Sequence, residues 1–194
     1  MRYNYTIKSS SAGGLMMIDC YRYTDKEVKE LLKSIVVIQD SREQEASHIT
    51  KWFDEKKIPY VTQKLETADY SFYIPTNAEL GIVRDMYFDD KIVIERKNSL
   101  EEISSCFTTT RTAFENEFIR CRAKLHLLIE NASYEDIINH KYRTEYKPVS
   151  FLASLHSFAD RYNFSITFMK DKNLSGQFIY LTFYYFLRNY LLGR

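Results

Sequence analysis

The sequence lacks the cysteine pattern of a zinc finger or of a disulfide framework. Its three cysteines, Cys20, Cys106 and Cys121, lie far apart and form no Cys-x-x-Cys pair, and its four histidines show no metal-ligand spacing. Scattered cysteines of this kind are typical of proteins that stay in a reducing compartment. We therefore expect an intracellular protein without structural zinc or disulfides.

The sequence also lacks a long apolar run and an excess of charge of one sign. The most apolar stretch, residues 178–192, contains Arg188 and Asn189 and is shorter than the roughly 20 residues that a membrane span needs. No signal peptide is recognisable at the N-terminus. The formal net charge is +1, so any contact with nucleic acid must come from local basic patches.

The composition is that of one soluble globular domain. The chain has 194 residues, which is long enough for a hydrophobic core. Its hydrophobic share of 45% and charged share of 27% are ordinary for soluble domains. Residues 9–14 read Ser-Ser-Ser-Ala-Gly-Gly, a flexible composition. We predict a flexible arm over residues 1–20 and a single domain over residues 21–194.

Helical and strand patterns alternate along the chain and predict an α/β fold. Capping boxes at Thr24 and Ser99 each indicate a helix start, and β-branched or apolar runs predict buried strands at 34–39, 92–97 and 125–130. Short connections between early strands favour antiparallel pairs, and helical crossovers between later strands favour parallel pairs. The prediction is a central mixed β-sheet flanked by helices.

The segment Lys-Ile-Val-Ile-Glu-Arg-Lys, residues 91–97, is a hydrophobic strand that ends in charged residues. Side chains two positions apart share one face of a strand, so Glu95 and Lys97 project together while Arg96 points the other way. Burying an unpaired charge costs several kcal/mol, so Glu95 requires a cation. Taken alone, this pattern favours a solvated ion pair at a strand end over a metal-dependent phosphodiesterase site.

Two further acids stand at comparable positions. Asp40 follows one predicted buried strand and Asp69 opens another. Carboxylates at strand ends suit Mg²⁺, which takes oxygen ligands and can activate water for attack on a phosphate. Lys97 would then orient the water or stabilise the charge that develops on the phosphate. An alternative for Asp40 is that it only caps the helix that follows.

Five sequence blocks occur in an order that resembles the XPF-type nuclease domain, a branch of the PD-(D/E)XK nuclease superfamily. The blocks are Asp-Ser-Arg-Glu at 40–43, Ala-Asp-Tyr at 68–70, Val-Ile-Glu-Arg-Lys at 93–97, Arg-x-x-x-Glu at 111–115 and Leu-Leu-Ile-Glu at 127–130. The resemblance spans about residues 35–131, and the later elements fit the rest of such a domain. It implies a restriction-endonuclease-like α/β fold.

The resemblance also implies roles for individual residues. Asp40, Asp69 and Glu95 are the implied ligands of Mg²⁺, for which Mn²⁺ would substitute. The backbone carbonyl of Arg96 is expected to join these ligands, and Lys97 is the implied catalytic lysine.

Further residues are implied to support the site or to bind DNA. Arg42 and Glu43 are expected to support the site. Arg111 is a candidate for contact with a phosphate, or alternatively an i,i+4 partner of Glu115.

The chain departs from the family pattern at three positions. Ala68 replaces the usual Gly, which should be tolerated unless this residue needs a positive φ. Glu101 stands where the family has Asp, and Glu115 stands where Gln is usual. None of these changes removes an implied metal ligand.

The implied function is that of a Mg²⁺-dependent endodeoxyribonuclease. It would hydrolyse phosphodiester bonds at branched DNA, such as flaps, forks or junctions, in replication, recombination or repair. The alternatives are a catalytically silent DNA-binding or scaffold subunit and a nuclease that acts on unbranched DNA. No tandem helix-hairpin-helix module is recognisable, and a stand-alone form of this kind is expected of a bacteriophage. We accordingly expect a cytoplasmic or nucleoid-associated protein in a bacterial host or a phage-infected cell.

Two surface features predict partners. Residues 139–148 interleave basic and aromatic side chains, so Lys141, Arg143 and Lys147 would follow a phosphate backbone while tyrosines stack on unpaired bases. An ordinary solvated loop is the alternative. The last predicted helix, at 175–192, is apolar on nearly every side and should be buried on every side. We therefore predict a homodimer through this helix; the alternative is a half-exposed helix.

Overall fold

The computed structural model describes residues 22–193, which form seven α-helices and seven β-strands. The elements are, in chain order, α1 (Asp25–Lys33), β1 (Val36–Gln39), α2 (Ser47–Lys56), β2 (Tyr60–Thr62), β3 (Tyr70–Ile74), β4 (Met86–Tyr87), β5 (Ile92–Lys97), α3 (Leu100–Thr108), α4 (Arg111–Arg120), β6 (Lys124–Glu130), α5 (Tyr134–Ile138), α6 (Pro148–Tyr162), β7 (Ser165–Met169) and α7 (Ser175–Leu191). The predicted arm at residues 1–20 lies outside the described residues.

All seven strands of the described chain belong to one mixed sheet, as predicted. The strand order is β2-β1-β3-β5-β6-β7, and β4 pairs with β3 outside this path. The pairs β1/β2, β5/β6 and β6/β7 are parallel, and each of these connections contains helix. The pairs β1/β3, β3/β4 and β3/β5 are antiparallel. Parallel neighbours need a long crossover, which explains why helices lie on both faces of the sheet.

Local capping explains where α1 and α3 begin. Thr24 Oγ1 accepts a hydrogen bond from the Glu27 amide at 3.4 Å, and Glu27 Oε2 accepts one from the Thr24 amide at 2.8 Å. Ser99 Oγ accepts one from the Glu102 amide at 3.3 Å. Such caps contribute about 1 kcal/mol each, and both predicted helix starts are confirmed.

The helix predicted to follow β1 begins later than expected. A helix capped by Asp40 would begin at the next residue, but α2 begins at Ser47 with Ala46 as its N-cap, and no side chain of the described residues caps it. The alternative that Asp40 serves only as this cap is therefore wrong. Residues 40–46 form an irregular segment because Asp40 turns back to bind the backbone amide of Arg42 at 2.8 Å, a competing local bond that short polar side chains readily form.

The sheet separates two cores, and β5 contributes to both. Ile92 and Ile94 face the core beneath α1, α2 and α7, whereas Val93 faces the core beneath α3, α4 and α6. A strand that is buried on both faces needs a continuous apolar sequence, and residues 92–94 supply one. Aromatic rings fill both cores: Phe53, Phe72, Phe88 and Phe183 on one side, and Phe107, Phe114, Phe151 and Phe158 on the other.

The last helix, α7, packs one stripe against the first core and leaves another face open. Gly176 allows its first turn to approach α2 closely, because a Cβ atom there would lie 2.9 Å from Trp52 Cβ. In the single chain α7 is not buried on every side, since Leu181 is 37% and Tyr185 55% exposed. No helix within residues 22–193 is long and apolar enough to cross a membrane.

Candidate active site

The end of β5 places Glu95 and Lys97 side by side on the face covered by α3 and α4. Lys97 Nζ lies 2.7 Å from Glu95 Oε1 and 3.6 Å from Glu102 Oε1, and 5.4 Å from the centre of the Phe114 ring. Burial lowers the pKa of Lys97, but the negative charge of Glu95, the hydrogen bond to it and the charges of other nearby groups together outweigh burial and raise that pKa above its usual value. Lys97 is therefore held as a cation and a hydrogen-bond donor.

Asp69 lies beside Glu95 because backbone bonds fix its peptide between β1 and β5. Its N–H donates to the Ile94 carbonyl at 3.1 Å, and its carbonyl accepts from the Asp40 amide at 2.7 Å. Its Oδ2 accepts from the Arg96 amide at 2.7 Å. Burial, and next the negative charge of Glu95, raise the pKa of Asp69 well above its usual value. A cation bound beside Asp69 and Glu95 would favour the ionised form of Asp69, which burial and the Glu95 charge disfavour.

The residue before Asp69 adopts a strained backbone conformation. Ala68 has φ of +62°, in the left-handed region that glycine adopts freely and where a Cβ atom costs roughly 1–2 kcal/mol. The sequence analysis expected alanine to be tolerated here unless the residue needs a positive φ, and it does have one. The turn that delivers Asp69 to the site carries this strain in the native protein.

Asp40 is buried, with 1% of its surface exposed, and its carboxylate is fully engaged. Oδ1 accepts from Arg42 N at 2.8 Å and Nε at 2.7 Å, while Oδ2 accepts from Leu65 N at 2.6 Å and Arg42 Nη2 at 3.2 Å. Burial opposes ionisation of Asp40, but these hydrogen bonds outweigh it and hold its pKa below the usual value. A carboxylate has about four acceptor sites, and all four are occupied here. In this arrangement Asp40 and Arg42 link the segment after β1 to the backbone of residue 65.

The donor set at the site suits a hard divalent cation. Asp69 Oδ1 and Glu95 Oε2 accept no hydrogen bond from the described residues, and two carboxylates are a common protein contribution to Mg²⁺, which keeps several waters. Residues 22–193 contain no cluster of three or more His, Cys, Asp or Glu side chains placed to hold a metal ion. Asp40 is not brought into the pair, and its role as a ligand stays a prediction. We refer to Asp69 and Glu95 as the acid pair.

Arg96 projects to the opposite face of the sheet, as the strand alternation predicts. Its guanidinium binds Glu43 (Nη2–Oε1, 2.6 Å) and Glu130 (Nη1–Oε2, 2.7 Å). The other oxygen of Glu130 lies 2.8 Å from His48 Nε2. We call these four side chains, His48, Glu130, Arg96 and Glu43, the buried network. Glu43 thus contacts Arg96 and no member of the acid pair within the described residues, although its negative charge contributes to the raised pKa of Asp69.

Arg111, predicted to bind phosphate or pair with Glu115, lies at the start of α4 with its guanidinium free of acids. Its Cζ atom is 4.9 Å from the centre of the Phe158 ring, and it forms no ion pair with any residue between 22 and 193. Glu115 instead accepts hydrogen bonds from the Tyr162 hydroxyl and from Arg161 at 2.8 Å, and the Tyr162 bond is the main cause of its lowered pKa. The alternative i,i+4 pair is therefore absent.

The loop at 139–147 uses its tyrosines internally and turns its cations outward. Tyr142 is 8% exposed, and its hydroxyl donates to the Tyr146 carbonyl at 2.5 Å. The backbone amide of Arg143 donates to Glu101 Oε1 at 3.1 Å, so Glu101 ties this loop to the first turn of α3. The tyrosines are placed for packing rather than stacking on bases. The exposed cations of the loop are Lys141, Arg143 and Lys147. Of these, Lys141 lies 3.7 Å from Asp136.

The family model described as the ERCC4 domain matches residues 39–182. The chain belongs to the ERCC4 domain family. The match begins at the last residue of β1 and ends within α7, so it contains every residue predicted for the site. No curated protein matches the sequence.

Solved structures of XPF from Aeropyrum pernix share the fold of this ERCC4 domain. One has a TM-score of 0.54 and 15% sequence identity, covering 76% of this chain and 59% of the solved chain. A second, described as a complex with DNA, has a TM-score of 0.53 and 17% identity, covering 74% of this chain and 60% of the solved chain. This chain thus spans about 60% of the length of these relatives. The predicted resemblance to an XPF-type nuclease domain and the predicted fold class are confirmed.

The structure of the ERCC4 domain adds residues that the sequence analysis did not single out as part of the site. Burial, and next the negative charge of Glu95, raise the pKa of Glu117, which places this α4 carboxyl near the acid pair. Its position on α4 offered no local signal, because its distance from Glu95 depends on how α4 packs against β5. His48 offered none, because its partner Glu130 is 82 residues away.

Proposed function

We propose that this ERCC4 domain is a Mg²⁺-dependent endonuclease that hydrolyses phosphodiester bonds in branched DNA. The observation that carries the proposal is the acid pair with Lys97 beside it at the end of β5. The raised pKa of Asp69 means that the pair resists holding two negative charges unless a cation is bound. Mg²⁺ would supply that charge, polarise the scissile phosphate and lower the pKa of a bound water.

Lys97 acts in this proposal as a fixed cation beside the scissile phosphate. Glu95 holds its ammonium at 2.7 Å, and the raised pKa keeps it protonated at neutral pH. A charged donor that is already oriented stabilises negative charge as it develops on the phosphate, without reorganisation during the reaction. Proton abstraction from water is less suited to a lysine held in this state.

Exposed cations near the site would bind the phosphate backbone. Arg111 on α4 forms no ion pair within residues 22–193, and the loop tied to α3 by Glu101 presents Arg143 and Lys147. Neutralising phosphates with such residues gives an affinity that falls steeply with salt concentration. The relative solved as a complex with DNA supports DNA as the substrate, and the preference for branches rests on the family resemblance.

A cleavage panel tests the proposal. The substrates are labelled single-stranded DNA, duplex, flap, fork and four-way junction, each incubated with Mg²⁺ or Mn²⁺. The proteins are the wild type, Asp69→Asn, Glu95→Gln and the control Asp54→Asn, which changes an exposed acid on α2. We expect a branched substrate to be cut by wild type and control, and each active-site variant to lose at least about 100-fold in rate. Equal cutting by all four proteins contradicts the proposal. DNA binding without cleavage by wild type would favour a silent scaffold subunit, and preference for plain duplex would favour a nuclease of unbranched DNA.

We further propose a homodimer formed through the open face of α7. A groove of about 720 Å³ runs beside this helix and is lined by Leu174, Phe178, Leu181 and Tyr185, among others. A second copy of the same helix offers matching apolar side chains, and a stable interface of this kind buries about 800 Å² per partner.

Light scattering after size exclusion tests the dimer. Wild type is expected at the mass of two chains. Leu181→Glu should give one chain, because a charge in the groove would lose its solvent on association. Val83→Glu, at an exposed apolar residue outside the groove, should leave the dimer intact. A monomeric wild type would contradict the proposal.

A further inference from the structure

The buried network consists of four ionisable side chains on the sheet face opposite the acid pair. The side chains of Arg96 and Glu130 are 4% and 0% exposed, and those of Glu43 and His48 are 8% and 10% exposed. The successive contacts measure 2.8 Å from His48 to Glu130, 2.7 Å from Glu130 to Arg96 and 2.6 Å from Arg96 to Glu43. Buried groups of this kind are stable only when every member is satisfied.

His48 completes this set of contacts. A carboxylate accepts hydrogen bonds but donates none, so in the contact with Glu130 Oε1 the Nε2 atom of His48 must carry the proton. Glu130 Oε2 is already bound by Arg96. Without His48, a fully buried carboxylate oxygen would lack a donor, and the guanidinium of Arg96 would be its nearest replacement. The position of Arg96 between its two acids therefore depends on His48.

The backbone of Arg96 connects this network to the acid pair on the other face of the sheet. The Arg96 amide donates to Asp69 Oδ2 at 2.7 Å, and the neighbouring residues on the same strand are Glu95 and Lys97. A shift of the Arg96 side chain would tilt its peptide and change the separation of the acid pair. His48 itself is fixed, because its neighbours Ile49 and Phe53 on α2 are fully buried.

We propose that His48 is a positioning residue for the acid pair, acting through Glu130 and Arg96. Its effect on metal affinity rests on the proposed function of the acid pair, whereas its effect on the Arg96 peptide does not. Groups that hydrogen-bond metal ligands directly, as the Arg96 amide does with Asp69, typically change affinity or activity about 10–100-fold when they are replaced. His48 acts through Arg96, so we expect its effect at the lower end of that range. A residue that only packs the core would change stability and leave these quantities alone.

Three variants separate the two roles. His48→Leu removes the donor and keeps the volume similar, whereas His48→Gln retains an amide donor that can reach Glu130. His156→Leu is the control, since this histidine is exposed on α6 and its bond to the Tyr134 hydroxyl at 3.0 Å involves no member of the buried network. Each protein is prepared without metal. The measurements are the melting temperature, hydrogen exchange of the Arg96 amide, the Mn²⁺ dissociation constant by calorimetry, and kcat and KM for cleavage.

For His48→Leu we expect the Mn²⁺ dissociation constant to rise about 10-fold or more, kcat to fall with KM for DNA nearly unchanged, and the Arg96 amide to exchange faster than the rest of β5. His48→Gln should stay within about 3-fold of wild type. The proposal is overturned if His48→Leu lowers only the melting temperature, or if His48→Gln is impaired as strongly. If wild type binds no Mn²⁺, the proposed function fails, and unchanged Arg96 exchange in His48→Leu would still overturn the positioning role.

Discussion

Replacing Asp40 and Asp69 by asparagine is expected to change the free energy of unfolding in opposite directions. In Asp40→Asn the side-chain oxygen can still accept from Arg42, but the new amide group faces the Leu65 N–H, which now lies 2.6 Å from Asp40 Oδ2. A buried donor left without an acceptor costs about 1–3 kcal/mol. The Arg42 side chain is 63% exposed, so its charge pair adds at most about 1 kcal/mol.

The expected loss for Asp40→Asn is therefore about 1–4 kcal/mol, or about 2–16 °C in melting temperature for a chain of this size. Asp69→Asn should instead keep or raise stability in the absence of metal. Burial and the charge of Glu95 make the ionised Asp69 unfavourable, and a neutral amide removes that repulsion while its oxygen still accepts from Arg96.

Urea unfolding at pH 7 without metal measures both effects, with Asp54→Asn as the exposed control. Calorimetric titration of the folded variants with Mn²⁺ then separates the roles. Asp40→Asn should bind as wild type does, and Asp69→Asn should not bind. Equal destabilisation by both substitutions would refute the electrostatic reasoning, and loss of metal binding in Asp40→Asn would restore Asp40 as a ligand.

Further changes should have the following effects. Ala68→Gly should raise the free energy of unfolding by about 0.5–1 kcal/mol in urea titrations because it relieves the positive φ; a loss would contradict the strain. Tyr70→Phe should raise it by about 1 kcal/mol, since this buried hydroxyl has no partner among the described residues; destabilisation would reveal a bound water. Burial lowers the pKa of His126 to about 4, so wild type should lose stability between about pH 6.5 and 4, where only the unfolded state gains the proton. His126→Gln should lose less over that range in urea titrations than His140→Gln. Lys97→Met should abolish cleavage yet retain DNA binding in gel-shift assays.

The acid pair was predictable because strand periodicity is local. The run at 92–97 identifies a buried strand, and its alternation alone assigns Glu95 and Lys97 to one face and Arg96 to the other. The starts of α1 and α3 were predictable for the same reason, since the N-cap bonds of Thr24 and Ser99 each span only three residues. These signals are contained in a few consecutive residues, and the structure confirms them.

The features that the sequence did not reveal depend on distant partners or on the backbone. Asp40 follows a buried strand, as a metal ligand would. Whether its carboxylate oxygens are available to a metal depends on a hydrogen bond from an amide 25 residues away. The positive φ of Ala68 is set by the backbone contacts of the next residue with two strands. The tyrosines at 142 and 146 look available for stacking, and only tertiary packing shows that their hydroxyls bind the backbone nearby.

The central position of β5 has a consequence for the order in which the domain can assemble. The acid pair and Lys97 lie between residues 69 and 97, yet β5 pairs along its whole length with β6, from Ile92–Lys124 to Lys97–Ile129. Its other buried face rests on the core that α7 completes with Ile179 and Phe183. During synthesis, a nascent chain holding all of these groups would still present β5 as an unpaired edge. The site can therefore form only after nearly the entire chain has been made, and a prematurely terminated product would carry the acids without the geometry.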